Sequence, residues 1–539
     1  MARRTGLSGL RRKRVVDRLP GSLRIATPPK PSKVVGNDQR KLKALANTEG
    51  LAQPVVAVLK PSRTVKVFYS LGQMAQAGGF DTAIGFIFFY YAAVLGLSAA
   101  LVGAALAVSL AFDAVVDPMV GSWSDNLKSR LGRRLPLMIV AIPLIVVSLG
   151  LLFSPPQGLS DWGLFAWLTV MSVATRSFIS VFNVPYIALA AEMAMDATER
   201  MSLVVYRNLA GLFTGLACTA LGYNVFFANG ALQRPEGYPG YGWSVAAMLA
   251  VGLSLCCLGV WRYAAALPQP EQAPGSFLSR LPGEIAEVFR NRSFRILFLS
   301  SVVMSTALGV NATLNSHAFI FVYQMRSESI QFIGYAFLLG ILLGVPGAPL
   351  LQRWVEKKTV VTFGLSLLML NWLVLQGLRA LGWYVPIGDE ALLPMQINSF
   401  VAGIGIGLAL VSYPAMMAEA ADEHELLFGR RREGLYFAGL GFANKSATGL
   451  GVLLAGIALD LVKFPKDVGQ QVGLILPEEM QVRLVVIWGP VAAVVAGISL
   501  VIMMTYGITR TRHAEIAAAL QKVRGSGLSF RLPLPSRSS

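Results

Sequence analysis

From residue 67 onward, long apolar runs alternate with short polar connections. Twelve runs reach about 20 residues, long enough at roughly 1.5 Å per residue to cross about 30 Å of hydrocarbon. They cover 67–92, 98–122, 135–155, 161–192, 200–226, 242–266, 294–323, 330–351, 360–381, 393–419, 434–461 and 484–508. The connection at 268–293 opens on Pro268-Gln269-Pro270, continues through an amphipathic stretch at 281–289, and divides the runs six and six. The pattern predicts an all-α membrane protein of two six-helix bundles, 67–267 and 294–508, with substrate binding between them near mid-membrane. Residues 1–66, rich in Arg, Lys, Pro and Ser, hold no apolar core of a signal peptide and are expected to be a disordered cytoplasmic tail.

Composition supports this picture. Of 539 residues, 54% are hydrophobic and only 14% charged, which excludes a disordered chain, a secreted disulfide scaffold and an ordinary cytosolic enzyme. The three cysteines sit in apolar runs without metal-ligand spacing, and the three histidines are scattered. No G-x-S-x-G, H-E-x-x-H or Walker-type loop occurs, so a common hydrolase or ATPase is not expected.

Charge sets the orientation. The net charge of +18 resides in the tails: residues 1–66 carry 16 Lys+Arg against 3 Asp+Glu, and residues 509–539 carry 6 against 1. Basic tails beside a membrane-embedded body are expected to meet anionic lipid of the cytoplasmic leaflet rather than nucleic acid. With both termini inside, the inner connections hold 15 Lys+Arg and the outer ones six, so the positive-inside rule places both tails in the cytoplasm of a multi-pass inner (plasma) membrane protein.

Ionisable residues inside the runs narrow the function. A charge at mid-membrane costs about 2.5–3.5 kcal/mol even on a lenient scale, so each needs a partner or a role. Asp113 and Asp117 lie four residues apart on one face of the second span. At roughly 6 Å and an effective dielectric near 20 they repel by about 3 kcal/mol. Such a pair calls for Na⁺ between its oxygens or a proton on one carboxylate, and either makes occupancy respond to an ion gradient. Alternatively, Asp117 caps a break at Pro118 or pairs with an arginine elsewhere. A receptor, scaffold or lipid-modifying protein with twelve spans has less need of these charges than a secondary transporter.

Beyond the pair come Pro118, Gly121, Asp125 and the basic stretch Arg130, Gly132, Arg133 and Arg134. This D-A-x-x-D-P-x-x-G pattern, followed by an acid and L-G-R-R-x-P, resembles the glycoside-pentoside-hexuronide:cation symporters of the major facilitator superfamily, the family of the melibiose carrier. The resemblance recurs in order at Asn183-Val184-Pro185-Tyr186, at Asp196, Glu199, Arg200 and Tyr206-Arg207, and at Glu419, Asp422, Gly429, Arg431, Glu433, Gly434 and Lys445. It covers about residues 65–510.

The resemblance implies a cation site at Asp113 and Asp117, with Ser180 as an oxygen ligand. It implies a substrate site drawing on Asp81, Asn183, Tyr186, Arg207 and Lys445, with Lys445 standing in for the cation in the empty carrier. It implies a cytoplasmic gate of Asp125, Arg133, Arg134, Glu199, Arg200, Asp422 and Arg431. Two departures stand out: Asn183 replaces an acid of the melibiose carrier, and Val116 replaces an amide near its cation. Arg176, additional to the pattern, lies on the Asn183 face of the fourth span; it suits either an anionic substrate or a salt bridge to a neighbouring helix. Asn311, Asn315, His317 and Tyr323 are expected to form an opposite wall. The expected function is symport of a sugar, glycoside or sugar acid with Na⁺ or H⁺, without a cofactor. A lysophospholipid or other amphiphile carrier of the same fold, and a non-transporting sensor or scaffold, are the alternatives.

Overall fold

The computed structural model describes residues 61–127, 129–194, 196–266, 277–465 and 474–526. Among them are twelve helices long and apolar enough to cross a membrane. The first six are Arg63–Val94, Ala99–Asn126, Leu135–Leu152, Asp161–Met193, Thr198–Phe226 and Gly237–Ala265; after a linker helix, Phe277–Arg290, the other six are Arg292–Val322, Ser327–Leu351, Lys357–Ala380, Gly388–Phe428, Glu433–Leu461 and Glu478–Met504. The expected all-α architecture of two six-helix bundles is present, and no strand occurs among the described residues. Of the expected tail at 1–66, residues 1–60 lie outside the described residues, as does the Pro268-Gln269-Pro270 opening of the linker, whereas Arg63–Lys66 begin the first span instead of continuing the tail, with Ser62 Oγ accepting from the Val65 N–H at 3.3 Å.

Polar side chains set several helix ends. Ser160 Oγ accepts from the Gly163 N–H at 3.3 Å at the start of the fourth span, and Asn291 Oδ1 accepts from the Phe294 N–H at 3.0 Å at the start of the seventh. The tenth span runs to Phe428, beyond the apolar limit at 419, because its last turns carry acids that meet basic partners. It stops at Gly429, whose φ of +69° is the left-handed geometry that glycine adopts without strain. The C-terminal stretch, expected as a tail, holds a helix, Arg510–Ser526, with Ile516 and Leu520 buried.

Small residues let the helices approach. The eighth and tenth spans each carry a G-x-x-x-G, Gly340/Gly344 and Gly403/Gly407, and their backbones meet there: a Cβ on Gly403 would lie 2.0 Å from Phe337 O. With no hydrophobic driving force between helices in lipid, such backbone approach is what packs them. The second and eleventh spans join the two bundles in the same way. A Cβ on Gly456 would lie 2.1 Å from Ala99 O, and one on Gly103 would lie 2.9 Å from Leu453 Cα.

The bundles close on the face opposite the basic loops. Asp460, at the end of the eleventh span, accepts from Ser98 Oγ and from the Ala99 and Ala100 N–H groups, both at 3.2 Å, and so caps the second span from the other bundle. Asn224 and Gln331 exchange hydrogen bonds at 2.9 and 2.6 Å, and the Asn229 N–H donates to Glu328 at 2.6 Å. Beneath them Phe88 and Phe89 of the first bundle pack on His317 of the second at 5.8 and 5.0 Å between centroids, with Phe321 and Phe464 around it.

The cap makes a prediction. Removing a helix N-cap costs about 1 kcal/mol, so Asp460→Ala shifts the bundles about fivefold toward opening on this face. A cysteine placed at Asn311 then reacts about fivefold faster with a membrane-impermeant thiol reagent applied from that side; an unchanged rate would show that Asp460 does not hold the closure.

Candidate functional site

The second span brings Asp113 and Asp117 to mid-depth, about 20 and 14 Å along the helix from its basic-face end. Asp113 is buried, 6% exposed. Its carboxylate meets Arg176 Nη1 of the fourth span at 3.3 Å, accepts from Ser180 Oγ one turn further along at 3.2 Å, and lies 3.8 Å from Lys445 Nζ of the eleventh span. Lys445 donates to Asp117 at 3.1 Å. The structure thus gathers Asp113, Asp117, Ser180, Arg176 and Lys445 into one cluster drawn from both bundles.

Arg176 is also buried, its guanidinium 4.0 Å above the Phe80 ring of the first span, a position that places the cation on the negative face of the ring. Of the two alternatives for Arg176, the geometry favours the salt bridge. Its charge is engaged with Asp113, although Nε keeps no partner among the described residues.

Asp81 accepts from Gln76 Nε2 at 2.7 Å and lies within electrostatic reach of Arg176, Lys445 and Asp113. It ends a π-helical turn, Ala77–Asp81, in the first span. Within the cluster two carboxylates, Asp113 and Asp117, face two basic groups, Arg176 and Lys445, while Asp81 makes no ion pair among the described residues. Asp117 and Lys445 have side chains 32% and 42% exposed. An ion pair so exposed at this depth requires water rather than hydrocarbon around it.

The other residues inferred for substrate contact are more scattered. Asn183 Oδ1 and Arg207 Nε are buried with no partner among the described residues, which leaves both with capacity for a further hydrogen bond. Tyr186 is wholly buried, its ring stacked on Tyr69 at 4.5 Å, and packs so closely on Gly72 that a Cβ there would clash at 2.3 Å. That is a packing position, and the structure does not bring Tyr186 to an accessible surface. His317 and Tyr323 are likewise fully buried; His317 belongs to the aromatic closure rather than to a pocket wall. Asn311 and Asn315 do line a cavity of about 340 Å³ between the bundles.

The residues inferred as a gate form ion clusters at the basic ends of each bundle. Arg134 meets Asp125 at 2.6 Å and Glu192 at 2.9 Å, Arg133 meets Glu192 at 2.6 Å, and Arg134 donates to Ser124 at 2.8 Å. In the corresponding place of the second bundle Lys357 meets Glu419 at 2.5 Å. Glu199 pairs with Lys66 at 2.6 Å, and Arg200 reaches Ala194 O at 3.5 Å. Asp422 lies 3.8 Å from Arg431 and 3.2 Å from His513, and the linker helix is tied on by Glu284–Arg432 at 2.7 Å. Sequence reasoning missed Glu192 and Lys357. Glu192 had a usable signal, an acid ending an apolar span beside a basic loop; Lys357 stood out only through the repeat of the two bundles.

The central pair predicts a stability effect. Removing one partner of a buried ion pair leaves the other uncompensated, at about 3 kcal/mol or more. Arg176→Met is expected to lower the unfolding midpoint by roughly 5 °C, and adding Asp113→Asn to recover most of that loss. A double variant as unstable as the single one would show that the pair is not the source.

Comparisons with known proteins agree with this geometry. A sequence profile for the family described as MFS/sugar transport protein matches residues 68–510. The uncharacterized symporter sll1374 of Synechocystis sp. is 25% identical over 85% of this chain and 96% of its own length. The isoprimeverose transporter of Lactiplantibacillus pentosus is 24% identical over 84% of this chain and 90% of its own. The crystal structure of the nucleoside transporter NupG has the same fold, with a TM-score of 0.55 at 15% identity, covering 82% of this chain and 97% of that one.

Proposed function

The chain belongs to the family of MFS sugar transport proteins, and from that premise we propose that it is a secondary active symporter carrying a sugar, glycoside or sugar acid together with Na⁺ or H⁺. It works by alternating access in an inner (plasma) membrane, with the basic loops and both termini in the cytoplasm. The supporting observation is the cluster at mid-depth, in which Lys445 of one bundle lies 3.1 Å from Asp117 and 3.8 Å from Asp113 of the other.

The mechanism follows from charge. In the state closed on the face opposite the basic loops, Lys445 and Arg176 compensate the acids, so no cation is needed to hold the bundles together. When the bundles rock, Lys445 moves with the second bundle while the acids and Arg176 stay with the first. The acids then lose one compensating charge, and a small monovalent cation takes its place. Cation binding therefore differs between the two states, and that difference is what permits an ion gradient to drive the cycle. Ser180 supplies a neutral oxygen beside the acids. Asp81, Asn183 and Arg207 are the remaining polar groups through which substrate occupancy is linked to the cluster.

Proteoliposome uptake under imposed Na⁺ and H⁺ gradients, taken separately, tests this. One of the two gradients drives accumulation of a saccharide in the native protein, and Asp117→Asn reduces that accumulation at least tenfold while the protein reconstitutes normally. Equal accumulation by Asp117→Asn would remove the pair from the coupling step.

A further inference from the structure

His317 lies in the last turns of the seventh span, at the closure between the bundles, and is 0% exposed. Four phenylalanines surround its imidazole: Phe88 and Phe89 of the first span at 5.8 and 5.0 Å between centroids, Phe321 one turn further along its own helix at 6.3 Å, and Phe464 beyond the eleventh span at 5.6 Å. Neither ring nitrogen has a partner of hydrogen-bonding geometry among the described residues. The polar group within reach is the Thr313 carbonyl, one turn earlier.

A leucine or phenylalanine would fill this place without burying two unpaired polar atoms, which is a cost to the closed state. What the imidazole adds is the ability to take up a proton near neutral pH once it is hydrated. Inside the cage an imidazolium would have neither water nor a carboxylate beside it. Its ring contacts are tilted or edge-on, and contacts of that kind return less than a cation loses with its hydration. The ring is therefore neutral while this face is closed.

The charged groups around the closure are engaged elsewhere. Asp460, at the end of the eleventh span near Lys463, caps the second span, and Glu328, near Arg326 at the start of the eighth, accepts from the Asn229 N–H. Tyr90 and Tyr91 of the first span, Tyr223 of the fifth and Tyr323 after the seventh are the remaining titratable groups, and they are uncharged near neutral pH. Among the described residues none of these pairs with His317.

We propose that His317 is a proton-binding site of the outer closure: neutral while the bundles are closed on that face, it takes a proton from the outer water when they part, so that an acidic exterior favours the state open to the outside. The inference goes beyond the symport reading and rests on it only for the opening itself. Its sign follows from linkage. The closed state binds no proton at this ring, whereas the open state binds one below the ordinary histidine value of about 6.5, so the ratio of open to closed rises as the outer pH falls through that value. Between pH 7.5 and 5.5 the rise is about tenfold. The proton returns to the outer water before the face closes, since the cage holds no acceptor for it, and the ring thus regulates opening without carrying the coupling ion.

Right-side-out vesicles with the inner pH held at 7.5 test this. The rate at which Asn311→Cys reacts with a membrane-impermeant thiol reagent applied outside reports the open population, the three native cysteines being buried. Division by the rate at Trp383→Cys, 77% exposed in the outer connection after the ninth span, removes the pH dependence of the thiol itself. The normalised rate is expected to rise about tenfold from outer pH 7.5 to 5.5. His317→Phe and His317→Leu, which keep an apolar side chain in the cage, are expected to make it indifferent to pH. A rate indifferent to pH with His317 in place, or a rise that persists in both variants, overturns the proposal and leaves the symport reading standing. Failure of Asn311→Cys to react from outside at any pH overturns the alternating-access reading together with the proposal, so the two failures are told apart.

Discussion

Holding charge at mid-membrane is the constraint around which this structure is arranged. Asp113 is 6% exposed and could not stay ionised there without compensation. It receives that compensation from Arg176 at 3.3 Å, from the Ser180 hydroxyl at 3.2 Å and, more distantly, from Lys445. Arg176 in turn is placed over the Phe80 ring, so the first, second and fourth spans are locked around one buried ion pair. The second pair is of a different kind: Lys445 and Asp117 remain partly exposed and come from different bundles. One pair is therefore internal to a bundle, whereas the other joins the two bundles and alone would be made or broken by the rocking proposed above. Coupling requires such an asymmetry, since only a contact that differs between states can bias them.

The two faces are closed by different chemistry. At the basic face, ion pairs operate within each bundle, Arg133 and Arg134 with Glu192 in one and Lys357 with Glu419 in the other. They fix the loop between two spans against the end of a third, so each bundle is braced as a rigid body. At the opposite face the contacts run between bundles and are mostly neutral: an aspartate on a helix N-terminus, an amide pair, aromatic rings, and glycines that allow backbones to touch. Several weak contacts of this kind can be released together at modest cost, which suits a surface that must open in every cycle.

The sequence made some of this legible and hid the rest for identifiable reasons. All twelve spans could be read because an apolar run of membrane length has no other stable environment. Their ends were less legible: the tenth span continues to Phe428 through residues whose polarity is balanced by Arg431 and His513 in three dimensions. Asp113 and Asp117 were visible through spacing alone, and Lys445 through the family resemblance of its position. The partner of Arg176 was not, because two meanings of an extra arginine differ only in how the fourth span is rotated against the second. Asp460 was invisible for a similar reason, since the helix it caps begins some 360 residues earlier. Tyr186 shows the converse: its place in a motif suggested contact with substrate, while its stacking on Tyr69 gives it a packing role.

The cavity between the bundles could not have been found by any local pattern, because its walls are single residues contributed by seven spans. No Asp, Glu, Lys or Arg among the described residues lines it, and that neutrality follows from the cluster beside it. The cluster already balances two buried or half-buried acids against two bases, and a further carboxylate nearby would add repulsion to the cost of desolvation. The first span is built to serve both places: a π-helical turn, Ala77–Asp81, is closed by the Thr82 N–H on Ala77 O at 3.1 Å, and such turns carry one more residue than an α-helical turn in the same span of chain. Consecutive residues then meet different environments, Asp81 within reach of the ion cluster and Thr82 on the cavity wall. The turn therefore puts the acid and the cavity wall one peptide unit apart.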